Sequence, residues 1–243
     1  MKAVLQYISV QQSRFAEHPF FDGLQQERPL EEVMAFAPRL AFWVMCFQDV
    51  LRLNAQQVRD PELAMLMLRH RSEERDHDRW FFEDIAQLTG SPLTLGALWG
   101  RAHESTRDAS YALMSEVFRP LDDRLRVVLV LALESTSHVF FTRASNFTRA
   151  LGHEKQLKYF SDHHMQAEEQ HEVFEEQMEA YLRGLELKPE LRAEAIALVD
   201  RIYAAFDAMF TGLLSEPRAS AVRPERRSLG AAVREGALAP TGS

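Results

Sequence analysis

Two stretches of this chain carry the same arrangement of nitrogen and oxygen ligands. His70, Glu74 and His77 form a His-x3-Glu-x2-His pattern, and His164, Glu168 and His171 repeat it. On a helix, offsets of four and three return to one face, so each triplet points in a single direction. A third helical stretch adds an acid in an unfavourable place. Glu134 follows directly on Val127-Val128-Leu129-Val130-Leu131-Ala132-Leu133. A carboxylate on such an apolar face is costly unless it is paired or bound to a cation. A mixed imidazole and carboxylate set without thiolate suits iron, manganese or zinc. Zinc hydrolases use three protein ligands and an open position, and the larger set here fits two metals better.

The elements that position these residues read as helices. The third predicted helix, about 60–88, carries Met67, His70, Glu74, His77, Phe81 and Leu88 as one stripe. The fifth, about 122–151, carries Val127, Leu131, Glu134, His138 and Phe141. The sixth, about 154–185, carries Phe160, His164, Ala167, His171, Phe174, Met178 and Tyr181. Other helices are expected at about 2–16, 29–58 with a kink at Pro38, 104–118 and 189–214. Asp60-Pro61-Glu62 is a helix start, with an acid cap and proline in the first turn. No strand-like alternation appears, so the fold class is all-α. Residues 1–214 form one helical metal-binding domain. From Ser215 onward prolines, glycines and arginines replace the apolar periodicity, which predicts a disordered or loosely attached tail over 215–243.

Composition narrows the partners. A formal charge of −8 over 243 residues argues against nucleic acid and against an anionic membrane surface. Cys46 is the single cysteine, so no intrachain disulfide forms. No signal-peptide pattern opens the chain, and the longest apolar run, 40–47, is too short to span a bilayer. A reduced, cytoplasmic protein is expected. Exposed apolar residues on the second and seventh helices suggest a homodimer. By spacing, Arg71, Arg75, Glu83 and Asp84 read as surface charges, and His18, His103 and His153 as surface polar groups. His138, one turn after Glu134, reads as support behind a ligand.

A di-iron helical bundle takes one Glu from each of two helices and a Glu-x-x-His from each of two others. Glu74-x2-His77 and Glu168-x2-His171 supply the pairs, and Glu134 supplies one lone acid. The fourth carboxylate should come from an early helix, where Glu31, Glu32 and Asp49 are the candidates. The two leading histidines, His70 and His164, exceed that pattern.

Several segments together resemble the heme-oxygenase-like di-iron oxidases, a group that includes iron-containing redox enzymes. They are His18-Pro19-Phe20-Phe21, the stretch 36–43 (FAPRLAFW), Glu73-Glu74-x2-His77, the lone Glu134, and His164-x3-Glu168-x2-His171. The resemblance runs over roughly residues 15–185. Many members carry Asp where this chain has Glu168, one methylene longer. The resemblance implies a seven-helix, heme-oxygenase-like bundle with metals between the third, fifth and sixth helices. The implied ligands are Glu74, His77, Glu134, His164, Glu168 and His171, with His70 a further candidate. The implied cofactor is Fe(II), two per chain, with Mn as the alternative. The implied reaction is O2-dependent oxidation of a small molecule: N-hydroxylation, C–C cleavage or decarboxylation of an amino acid, amine or fatty acid. Arg39 or Arg143 could anchor a substrate carboxylate by a bidentate contact, and Phe42, Trp43, Phe81, Phe141 and Phe174 could form a dry lining. Two other readings compete. One is a ferritin-like metal store, and the other is a cofactor-free thiaminase-like hydrolase with a cysteine nucleophile.

Overall fold

The computed structural model describes residues 1–25, 28–119, 122–168 and 176–214, and no strand occurs among them. The helices are α1 (Lys2–Phe15), α2 (Leu30–Val33), α3 (Ala41–Ala55), α4 (Pro61–Glu73), α5 (His77–Thr89), α6 (Leu95–Leu98), α7 (Glu104–Val117), α8 (Asp123–Ala150), α9 (Asp162–Glu168), α10 (Glu176–Gly184) and α11 (Pro189–Leu214). Three 3₁₀ segments, Pro19–Gln25, Met34–Leu40 and Arg101–His103, join some of them.

α8 is the axis of the molecule. Residues 125–136 are buried without a break, so this stretch of the helix is covered all round. α1, α4 and α11 pack against it, α11 also packs on α7, and α3 lies between α7 and α4. By length and composition α8 could cross a membrane, as could the stretch 30–55. Yet 78% of the most apolar window of α8 is buried inside the protein. A search for unbroken apolar runs misses such helices because scattered polar residues interrupt them.

Local chemistry explains most boundaries. The Asp60 carboxylate accepts from the backbone N–H of Glu62 and Leu63 at 3.0 and 3.1 Å, with Pro61 at the first helical position. Asp122 caps α8 through Arg124 N at 3.0 Å. Gly90 and Gly152 stop α5 and the α8 exit with φ of 69° and 74°, where a side chain would be strained.

Three expected helices are broken. The second divides into α2, the 3₁₀ turn around Pro38, and α3, because proline removes a helical N–H donor. The third stops at Glu73 and restarts at His77, with Asp76 left-handed at φ 72°. The sixth begins only at Asp162. Ahead of it, the Ser161 hydroxyl accepts from His163 N at 3.2 Å, and Asp84 holds residues 158–160 out of helix. The expected tail over 215–243 lies outside the described residues.

Candidate metal centre

Glu134 projects from the middle of α8 toward the end of α4. There His70 Nε2 stands 3.1 Å from Glu134 Oε1 and 3.9 Å from Glu74 Oε1. One ligand atom from each of His70, Glu74 and Glu134 lies within 4.8 Å of the others, and all three side chains are buried. The second oxygen of Glu74 lies 3.0 Å from His77 Nδ1. Glu74 thus faces His70 with one oxygen and His77 with the other. The interruption between α4 and α5 makes this possible, because Glu74 sits at the helix end and His77 opens the next helix.

His164, on the first turn of α9, brings a fifth side chain. Its ring lies 4.7 Å from that of His77 and 3.7 Å from that of Phe141, centroid to centroid. His164 Nδ1 is 3.1 Å from the carbonyl oxygen of Tyr159. A carbonyl only accepts, so Nδ1 is the donor, and in the neutral ring the lone pair lies on Nε2. His77 stacks on Trp80 at 4.4 Å, which fixes its plane. His70, His77, His164, Glu74 and Glu134 are each at most 5% exposed. The side chain of Glu168 and the whole of His171 lie outside the described residues.

A cavity of about 40 Å³ opens beside the cluster, touching Glu74, His77, Glu134 and His164. That is room for about three waters. Its apolar wall includes Trp43, Phe47, Phe140, Phe141, Phe206 and Phe210, and its polar points include Gln48, Asp78, Thr136, Ser137 and Tyr159. Trp43 and Phe141 match the expected lining. Phe42 instead packs against Trp99 and Tyr111, Phe81 is buried against Tyr159 and Phe160, and Phe174 is outside the described residues.

Other expectations place differently. Arg39 is buried and donates to the carbonyls of Gly212, at 3.3 Å, and Leu213, so it ties down the end of α11. Arg143 donates to Ala16 O at 3.4 Å. Neither lines the cavity, because both guanidinium groups hold backbone. His138 is exposed on the outer face of α8. None of the three early candidates reaches the cluster: Glu32 pairs with Arg28 and Asp49 with Arg52, and Glu31 is exposed. α3 contributes an amide instead, with Gln48 Nε2 donating to Glu74 O at 2.9 Å.

His18 and His103 are buried rather than surface groups. His18 Nδ1 accepts from Phe20 N at 3.1 Å and its Nε2 meets Thr211 Oγ1 at 3.2 Å. Asp84, expected at the surface, is 2% exposed. Asp78, a half-buried acid on the cavity wall, was not singled out by spacing either. An acid next to a ligand candidate in an acidic helix gives no periodic signal. Cys46 is half-buried with its Sγ 3.8 Å from Ser110 O. Burial, with Asp49 nearby, pushes its thiol up to about 11.

The donors fit a first-row divalent cation. The buried oxygen Glu134 Oε1 accepts no hydrogen bond among the described residues. Carboxylates and imidazoles this close and this dry are what a divalent ion neutralises. No family model matches the chain, and no curated protein is similar to it in sequence.

Proposed function

We propose that this protein is a non-heme iron oxidoreductase that uses O2 to oxidise a small molecule, on a bundle of the heme-oxygenase-like kind. The observation that carries the reading is the buried His70–Glu74–Glu134 cluster opening, through Glu74 and Glu134, onto a cavity walled largely by aromatic rings. In this reading Glu74 serves two subsites, one with His70 and Glu134 and the other with His77 and His164. Glu168 and His171 complete the set by their spacing. Two Fe(II) ions, or Mn in their place, would supply the electrons for reducing O2.

The chain's own residues do the remaining work. Trp43, Phe140, Phe141 and Phe206 wall the face of the cluster where substrate would lie and limit the water there to a few molecules. Trp80 holds the plane of His77, and the Tyr159 carbonyl holds the proton of His164 on Nδ1. Gln48 fixes the backbone of Glu74 while its carboxylate remains able to face either subsite.

The largely aromatic wall favours an organic substrate over metal storage, which needs a polar path for ions. A thiol with a value of about 11 is almost wholly protonated at neutral pH, so Cys46 is a poor nucleophile for a thiaminase-like reaction. Metal analysis of protein made in iron-supplemented medium tests the proposal. It should return about two irons per chain, lost in Glu134→Ala and His171→Ala. Folded protein that takes up no metal refutes it. Oxygen uptake by the ferrous protein, with amino acids, amines and fatty acids in turn, then identifies the substrate class.

A further inference from the structure

Asp84 lies on α5 two turns beyond His77, and nothing about its spacing marks it. Its carboxylate is 2% exposed and, among the described residues, has no cationic side chain against it; burial raises its value above the ordinary 3.8, and backbone hydrogen bonds oppose that rise. It accepts instead from three consecutive backbone N–H groups. Oδ1 takes Lys158 N at 2.9 Å, and Oδ2 takes Lys158 N at 3.1 Å, Tyr159 N at 2.8 Å and Phe160 N at 3.2 Å.

The bond from Phe160 reaches further than the others. The N–H of Phe160 and the C=O of Tyr159 belong to one peptide unit. That C=O accepts the Nδ1 proton of His164 at 3.1 Å. The atoms therefore run in sequence from the Asp84 carboxylate, through a single peptide group, to the imidazole. A negative charge on the N–H side polarises the peptide and makes its oxygen a stronger acceptor. A stronger acceptor at Nδ1 fixes the tautomer and raises the basicity of Nε2. Metal-ligating histidines commonly obtain this from a carboxylate bonded directly to the ring. Here the carboxylate works one peptide away. The Thr148 hydroxyl, 2.9 Å from Phe160 O, steadies the same turn.

We propose that Asp84 is a positioning residue that sets His164 as an Nε2 ligand through the 159–160 peptide. The part concerning a metal rests on the function proposed above, whereas the part concerning the tautomer does not. Asp84→Asn removes the charge with little change of shape. Two measurements on the full chain decide. The first is the ¹⁵N NMR signature of His164 in metal-free protein, with His164→Gln for assignment. Wild type should show Nδ1 protonated and Nε2 bare, and Asp84→Asn should shift toward a mixture. The second is Mn(II) affinity of the folded protein by EPR titration, expected to weaken about tenfold in Asp84→Asn.

A variant that melts earlier but keeps both the tautomer and the Mn(II) affinity would reduce Asp84 to a structural role and overturn the proposal. So would wild-type His164 protonated on Nε2, a result needing no variant to fold. Wild type that binds no Mn(II) yet shows the expected tautomer shift in Asp84→Asn would sink the metal reading and leave the relay standing.

Discussion

Replacing Glu134 by glutamine separates a metal site from a buried ion pair, because the two readings give opposite signs. In a metal site the imidazole of His70 is neutral and offers a lone pair. Glu74 and Glu134 then face each other with oxygens within 4.8 Å, away from water. At an effective dielectric of about 20, two unit charges at that separation repel by about 3 kcal/mol. Glutamine removes this repulsion but leaves an amide to satisfy, so about half the gain should survive. For a chain of this length a gain of about 1.5 kcal/mol raises the melting temperature by about 3–6 °C. Metal-free Glu134→Gln should therefore melt later than metal-free wild type. Wild type should in turn gain about 2.7 kcal/mol when Fe(II) or Mn(II) is present at about a hundredfold its dissociation constant, while the variant gains nothing. Differential scanning calorimetry under anaerobic conditions reads both shifts. If His70 is instead a protonated partner in a structural ion pair, the substitution strands a buried charge and costs about 3–5 kcal/mol. A variant that melts earlier, beside a wild type indifferent to metal, refutes the reasoning.

Two further outcomes follow from packing and burial. Burial, reinforced by the positive charges of Arg107 and Arg39, holds the His103 value below its ordinary 6.5. The unfolded chain therefore takes up a proton first as the pH falls. The stability from a neutral His103 is complete above about 6.5 and is lost as pH drops through the lower folded value. Urea unfolding at pH 7, 6 and 5 should show a decline that His103→Gln flattens. Gly212, where α11 passes α7, leaves no room for a methyl group against the Ser105 side chain. Gly212→Ala should cost about 1–3 kcal/mol by chemical denaturation, and Ser105→Gly in the same chain should recover most of it.

The three residues that come together in the buried cluster, His70, Glu74 and Glu134, are legible in the sequence. The stripe on α8 identifies Glu134 because an acid directly after seven apolar residues, on the same helix face, has few other uses. The Asp60-Pro61 start, α7, α8 and α11 lie within a residue or two of where periodicity and capping put them. The misses share a cause. Helical periodicity carries through a short interruption, so the break at 74–76 looked like continuous helix even though Asp76 turns left-handed there. The stretch before α9 looked helical because the residue that unwinds it, Asp84, is some 75 positions earlier in the chain. Bonds between distant segments leave no periodic trace. The same holds for His18, which meets Thr211, and for His103, which meets the backbone of Arg39. Among the described residues no early acid completes the cluster, and Gln48 of α3 meets the backbone of Glu74 instead.

α8 has a consequence for how the chain is made. As it leaves the ribosome, before its neighbours wrap it, this helix has the length and apolar character of a bilayer span. A charged residue near the centre of such a segment adds about 2.5–3.5 kcal/mol to its insertion into lipid. Glu134 occupies that central position. The acid that offers an oxygen to the cluster in the finished fold thus also weighs against the nascent helix being diverted into a membrane.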